Sequence, residues 1–364
     1  MENSPYNYID IAKGLGMLAV VWGHVRTSGM LFLFVYSFDI PLFFFMAGMM
    51  FKNDKYDSLG KLLKSRARTL LKPYVLFSLA TWLFWLIYCR LVGFEADYLY
   101  SLLQTVYAQG TYEYLAHDFP MWFVTALFVV EVLYYFISKL PDIWNILICA
   151  ACAAVGYFMR HNSLDIDLTV LPWNIDSAMP AMLFYCLGNL FVKKHGVSAV
   201  PEWVKSNRRK AVILAVLLAI AVFFASQFNG PVSLASNHFG KNMVLMYVIG
   251  MAGVASALMF SGLMELAAAG FTGAAARFLK RIGRSSFYYM AVHEPAREYI
   301  VMVFAFVLTR VFNMPASPYA IGSENWKYAL IYIADIVLTM AIVELINLGK
   351  RKLGEKRQRA QSAE

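Results

Sequence analysis

Residues 8–25 read YIDIAKGLGMLAVVWGHV. An apolar run of helical length carries a carboxylate and an amine at its start, Asp10 and Lys13, and an imidazole, His24, at its end. Lys13 and His24 are eleven residues apart. On an α-helix that spacing returns them to within about 20° of one another, roughly 16 Å apart along the axis. Asp10 falls within about 60° of both. Gly14, Gly16 and Gly23 leave the helix smooth, so that a neighbour or a ligand can approach closely. Charge facing lipid is costly, so the Lys13–His24 face is expected to line a protein interior or a wet cavity. Asp10 alone also fits a residue marking the water interface. No small-residue cleavage site follows the run, which predicts a retained helix rather than a signal peptide.

The rest of the 364-residue chain extends this pattern. It is 60% hydrophobic, 16% aromatic and only 15% charged, against about a quarter charged in a soluble domain. Long apolar runs recur at roughly 11–25, 31–51, 73–91, 121–137, 143–159, 179–193, 211–228, 242–260, 286–309 and 327–349. Runs near twenty residues cross a bilayer at about 1.5 Å per residue. The expected fold is an all-α, polytopic membrane helical bundle of about ten transmembrane helices. Residues 1–350 form one membrane domain and 351–364 a basic tail.

Lys and Arg set the orientation. With the amino terminus in the cytoplasm, the inner loops 52–72, 138–142, 194–210 and 261–285, the tail with Lys350 before it, and Lys193 at a span end hold 24 of the 32 basic residues. The positive-inside bias predicts both termini cytoplasmic. The outer segments lean acidic, with Glu95, Asp97, Glu113, Asp118, Asp165, Asp167, Asp176 and Glu324. Residues 92–120 are aromatic and predict a re-entrant or interfacial element; Tyr98, Tyr100, Tyr107, Tyr112, Tyr114 and Trp122 there could stack on sugar faces or form an interfacial belt. The net charge of +9 sits in these loops without the aromatic interleaving of a base-stacking surface, which argues against nucleic acid as a partner. Cys89, Cys149, Cys152 and Cys186 fall mostly in apolar runs, where a thiol packs as a small hydrophobe rather than as a redox or metal ligand.

Further ionisable residues interrupt the spans. Asp39 lies eight residues into the second, where Pro41 can kink the helix and Gly48 permits tight packing. A carboxylate at that depth needs a partner, and His24 is a candidate, as are Arg26 or a tyrosine. The run KLLKSRARTLLKPY (61–74) places Lys64, Arg66, Arg68 and Lys72 at the mouth of the third span. It is explained by membrane anchoring or by a phosphate-bearing ligand. Glu131 sits near the middle of the fourth span. The ninth is the most polar: His293 and Arg297 share a face, Glu294 can reach Arg297 or Glu298, and Pro295 frees a backbone carbonyl. Such polarity points to a lined cavity or to a structural network.

Taken in order, five segments resemble the integral-membrane acyltransferase-3 family of sugar and peptidoglycan O-acetyltransferases. They are YIDIAKGLGMLAVVWGHV (8–25), FDIPLFFFMAGMMFK (38–52), RARTLLKPY (66–74), MWFVTALFVVEVLYY (121–135) and IGRSSFYYMAVHEP (282–295). The resemblance implies transfer of an acetyl or similar acyl group from cytoplasmic acetyl-CoA to a hydroxyl of a cell-surface glycan or lipid-linked sugar, in a bacterial inner membrane, with no metal. It gives His24 the essential histidine position and Lys13 the basic position, where lysine is closer to the sugar-acetylase branch. Two departures stand out: Asp39 replaces the histidine of many relatives, and Arg68 is followed by Lys72 rather than by a second arginine.

The implied scheme docks the CoA nucleotide on Arg66, Arg68 and Lys72 and threads the pantetheine arm along the Gly14/Gly16 face. His24 then serves as general base or acyl carrier. Asp39 or Glu131 would orient it, and Arg297 or His293 would stabilise the oxyanion. The same intramembrane charges would alternatively suit a small-solute transporter or flippase, or a membrane scaffold.

Overall fold

The computed structural model describes residues 6–110, 115–161, 168, 170–266, 270–314 and 325–361. Tyr112, Glu113, Tyr114, Asp165, Asp167 and Glu324 lie outside the described residues. The chain is almost wholly helical. Its helices are α1 (Asn7–Val25), α2 (Met30–Tyr36), α3 (Asp39–Met49), α4 (Leu59–Arg66), α5 (Lys72–Val92), α6 (Tyr98–Tyr107), α7 (Trp122–Ile137) and α8 (Asp142–Arg160). There follow α9 (Ile175–His195), α10 (Ala199–Ser206), α11 (Arg208–Asn229), α12 (Met243–Glu265), α13 (Gly270–Arg284), α14 (Ser286–Arg310) and α15 (Asn325–Gln361). One two-residue antiparallel ladder pairs Val232–Ser233 with His238–Phe239.

Each of the ten expected spans falls on one of these helices or on a pair of them. Among the described residues, eight segments are long and apolar enough to cross a membrane. The other two expected spans are α1 and α14. Their length suffices, and their composition is more polar: α1 carries Asp10, Lys13 and His24, and α14 carries His293, Glu294, Arg297 and Glu298. They can do so because they are sheltered: α1 buries Tyr8, Ile9, Ile11, Ala12, Met17 and Val21 almost completely. By contrast α5 and α11 expose Leu76, Leu83 and Ile87, and Ile213, Leu217 and Phe224. Such rows of large apolar side chains belong to helices that face lipid.

Two pairs of helices meet backbone to backbone through reciprocal glycines. A Cβ at Gly48 would lie 1.9 Å from the Tyr185 carbonyl, and one at Gly188 2.0 Å from that of Phe45, so α3 and α9 touch as Gly48 suggested. A Cβ at Gly14 would lie 2.0 Å from the Leu279 carbonyl, and one at Gly283 1.7 Å from that of Asp10. Close approach of this kind lets helices associate where no hydrophobic effect drives them together.

The second expected span is one segment broken in two. The break falls at Ser37–Phe38, ahead of Pro41, and Pro41 sits in the first turn of α3, where its missing N–H costs nothing. The loops expected at 52–72 and 261–285 hold helices α4 and α13. The latter is amphipathic, with Gly273, Ala276, Leu279, Ile282 and Gly283 buried and Arg277, Lys280, Arg281 and Arg284 on its other side. Within 92–120, α6 packs Ser101, Gln104 and Thr105 inward and exposes Leu99, Leu103 and Val106, an amphipathic helix as an interfacial element requires. All four cysteines are free, and Cys89, Cys149 and Cys186 are buried in apolar surroundings.

Candidate functional site

Helix α1 presents Lys13, Met17, Val20 and His24 to a cavity of about 300 Å³. These positions are spaced by four, three and four residues, one stripe of an α-helix. The expectation that Lys13 and His24 share a lining face therefore holds. The opposite wall comes from Ile40, Phe43 and Ala47 of α3, from Met50 just after it, and from Trp122, Phe123, Leu127 and Glu131 on α7; Arg66 and Leu70 close one end. The lining is mainly apolar with charged groups at the ends, the usual character of a site for an extended ligand.

A second, smaller cavity of about 40 Å³ adjoins the first at the His24 end. Val20, His24, Tyr36, Asp39, Trp122 and the 232–235 segment line it. His24 lines both cavities. It is 8% exposed, so its ring reaches little beyond these two spaces.

The partner of His24 is Glu294. The Nδ1 of His24 lies 3.2 Å from Glu294 Oε2. The Arg297 guanidinium grips the same carboxylate with Nε donating to Oε2 at 3.1 Å and Nη2 donating to Oε1. Glu294 is 2% exposed, and a carboxylate that deep is sustained by these two cationic or proton-donating neighbours. With Nδ1–H directed at Glu294, the lone pair of His24 resides on Nε2. Helical spacing in HEPAR made the Glu294–Arg297 pair legible; the contact with His24 depends on α14 packing against α1 and has no local signal.

The remaining candidates divide. Asp39 faces the smaller cavity with His24, and its Oδ1 accepts the N–H of Ile40 at 2.6 Å, at the amino-terminal turn of α3. It does not pair with His24: the helix break turns its carboxylate onto its own backbone. Glu131 lies toward the Lys13 end, 2.5 Å from Arg66 Nε, with the Tyr185 hydroxyl donating to it at 3.3 Å. It is thus placed beside Arg66 and not beside the imidazole. His293 is fully buried, with Nδ1 2.9 Å from the Tyr289 carbonyl and its ring 5.0 Å from that of His24. A carbonyl only accepts, so Nδ1 carries a proton and Nε2 is the atom left facing the His24 side.

Arg66 reaches the cavity, whereas Arg68 and Lys72 are exposed and line neither space. Asp10 leaves the Lys13–His24 face and bonds Arg284 Nε at 3.1 Å. Gly14 and Gly16 do not line a ligand path either. The Leu279 backbone occupies the space at Gly14, and Leu42 and Phe43 that at Gly16. The smooth side of α1 receives α13 and α3; the path along the helix is the Met17–Val20 stripe.

Among the described residues, His24, His293 and Glu294 bring one donor atom each within 4.8 Å of one another, a spacing that could hold a metal ion. Both oxygens of Glu294 are already engaged by His24 and Arg297, which leaves two imidazole Nε2 atoms and a nearby guanidinium charge. That is a poor donor set for a divalent cation. What the arrangement supplies instead is an oriented imidazole with its basic nitrogen free, at the meeting point of two spaces.

Residues 6–347, nearly the whole chain, match the family model described as an acyltransferase domain. No curated protein and no solved structure matches the chain.

Proposed function

The chain belongs to the acyltransferase-3 family, and from that premise we propose that it is an O-acetyltransferase of a bacterial cytoplasmic membrane. It takes the acyl group from acetyl-CoA on the cytoplasmic side and passes it to a hydroxyl of a glycan or lipid-linked sugar on the other. The observation that carries this reading is the position of His24 at the junction of two cavities, with Nδ1 bound to Glu294.

The donor enters at the Lys13 end. The stripe from Lys13 to His24 spans roughly 16 Å, a length of the order of an extended pantetheine arm, and Met17, Val20, Phe43 and Leu127 give that arm an apolar wall. The acceptor hydroxyl approaches His24 from the side of the smaller cavity, which at about 40 Å³ admits the reacting end of a sugar and not the whole ring; there the Asp39 carboxylate can accept from a hydroxyl and Trp122 offers an aromatic surface.

His24 Nε2 removes the proton of the acceptor hydroxyl as its oxygen attacks the thioester carbonyl. The Glu294 carboxylate holds the ring in the required tautomer and offsets the charge of the imidazolium that forms. Collapse of the tetrahedral species breaks the carbon–sulfur bond, and the imidazolium returns the proton to the departing thiolate. The ester and free CoA are the products, and the scheme uses no metal ion. Lys13 in place of arginine supports the sugar-acetylase branch of the family.

Transfer of radiolabelled acetyl from acetyl-CoA to surface glycan, with the purified protein in lipid, tests the reading. His24→Ala is expected to reduce transfer by at least about a thousandfold, the scale on which removing a catalytic imidazole acts. Undiminished transfer by that variant would exclude His24. A solute transporter, the competing reading of the same charges, predicts that CoA leaves the melting temperature unchanged, whereas a donor site predicts a rise.

A further inference from the structure

A third concavity, about 1010 Å³, opens beside the first. It lies where α3, α7 and α9 end, and it is lined by Phe51, Lys52, Asp54, Lys55, Ser138, Lys139, Asn189, Val192 and Lys193. Four lysines from three separate segments converge on it; Asp54 shares the lining, and Asp142 at the start of α8 holds the Lys193 ammonium at 2.5 Å, which leaves Lys52, Lys55 and Lys139 as its excess charge. Its floor is fixed: the Asn189 side-chain amide donates to the carbonyls of Gly48 and Phe51 at 3.3 and 3.0 Å and accepts from the Tyr134 hydroxyl at 3.1 Å. Positive charge in a loop is ordinary at a membrane surface; here it is gathered from three chain segments around one concavity whose floor Asn189 ties together.

The buried Tyr56 ring stands between the bowl and the first cavity. The Lys55 ammonium lies 5.2 Å from the centre of that ring, and the Arg66 guanidinium carbon 5.7 Å from it. Lys55 belongs to the bowl and Arg66 to the cavity that ends at His24. Met50 lines one space and its neighbour Phe51 the other. A ligand with an apolar arm and a phosphate-rich head would fill both at once. Arg68 and Lys72, the residues first expected to hold the head, face neither.

We infer that the bowl formed by Lys52, Lys55, Lys139 and Lys193 is the site of the nucleotide phosphates of the acyl donor, separate from the 66–72 basic run. This rests on the donor reading proposed above. Lysine acts on phosphate as a movable point charge, so each contributes attraction without the fixed geometry of an arginine fork.

The test is binding to the full chain in lipid discs, with three probes: CoA, 3′-dephospho-CoA and pantetheine. Wild type is expected to bind CoA more tightly than 3′-dephospho-CoA. Lys55→Ala/Lys139→Ala is expected to weaken CoA about tenfold, to erase the preference for the 3′-phosphate, and to leave pantetheine binding unchanged. The last result shows that the arm's cavity and the fold are intact. Lys205→Ala removes an exposed lysine of α10 and is expected to leave all three affinities as they are.

Wild-type affinity for CoA in the double variant would overturn the inference, as would loss of the 3′-phosphate preference on substituting Arg68 and Lys72 instead. So would a loss seen only in discs of anionic lipid and absent in zwitterionic ones, because the bowl would then hold lipid headgroups. If wild type binds pantetheine and CoA equally, the bowl fails and the donor reading stands; if it binds neither, both fall.

Discussion

His24 and Glu294 meet across two helices, with Nδ1 3.2 Å from Oε2, and this contact decides which nitrogen of the imidazole is free to react. Neither residue shows the pairing in its local sequence. The carboxylate is itself anchored by Arg297 from one turn further along α14. The three form a chain from a fixed guanidinium to a reactive nitrogen.

Glu294→Gln keeps the shape and removes the charge. The amide can still accept from Nδ1–H but no longer balances an imidazolium. Acetyl transfer is expected to fall by roughly a hundredfold or more with a smaller change in KM, since the lost interaction strengthens only in the transition state. Steady-state kinetics at saturating acetyl-CoA measure this. Transfer within threefold of wild type would remove Glu294 from the mechanism.

Arg66 and Glu131 are a largely buried pair, 18% and 5% exposed. Removing one partner strands the other charge, at a cost of roughly 3 kcal/mol or more. Replacing both, as Arg66→Met/Glu131→Leu, leaves no stranded charge. The double variant is therefore expected to melt at a higher temperature than Arg66→Met alone. Equal or additive losses in that cycle would show that the pair is not coupled.

Gly14→Ala is expected to separate α1 from α13, because its methyl would stand 2.0 Å from the Leu279 carbonyl, and backbone cannot yield as a side chain end can. Size-exclusion profiles in detergent should show loss of monodisperse protein. Gly60→Ala meets nothing within 4 Å and should leave the profile unchanged.

Burial pushes the His117 imidazole down to about 4 from its ordinary 6.5. The ring lies just ahead of α7, with Nε2 3.3 Å from the Thr105 hydroxyl. The unfolded chain takes up the proton near pH 6.5 and the folded chain only near 4. Stability is thus undiminished above about pH 6.5 and falls as the pH drops toward 4. Between pH 7 and 4.5 the melting temperature of wild type should fall more steeply than that of His117→Gln. Parallel curves would contradict the assignment.

Much of this architecture was written in hydrophobic runs. Every expected span landed on a helix, because twenty apolar residues in lipid have few other ways to satisfy their backbone. The shared face of Lys13 and His24 followed from 3.6-residue periodicity alone. What was not legible depends on neighbours. The glycines of α1 suggested an open path, whereas they accept the backbone of α13, a helix within a loop too charged to read as a span. The depth of Asp39 suggested His24, Arg26 or a tyrosine as its partner, whereas its Oδ1 accepts the N–H of Ile40 at the start of α3, just after the break at Ser37–Phe38. Glu294 took that place through packing of α14 against α1. The basic run at 66–72 drew attention by its density, yet only Arg66 reaches a cavity.

The central claim is that one imidazole receives the donor from one side and the acceptor from the other. A structure with the thioether analogue of acetyl-CoA, whose carbonyl cannot be transferred, tests it most directly. The account predicts the acyl carbonyl beside His24, with the carbonyl carbon within about 4 Å of Nε2, and the arm along Met17 and Val20. An analogue bound with its acyl end away from His24, or outside the Lys13–His24 cavity altogether, would contradict it.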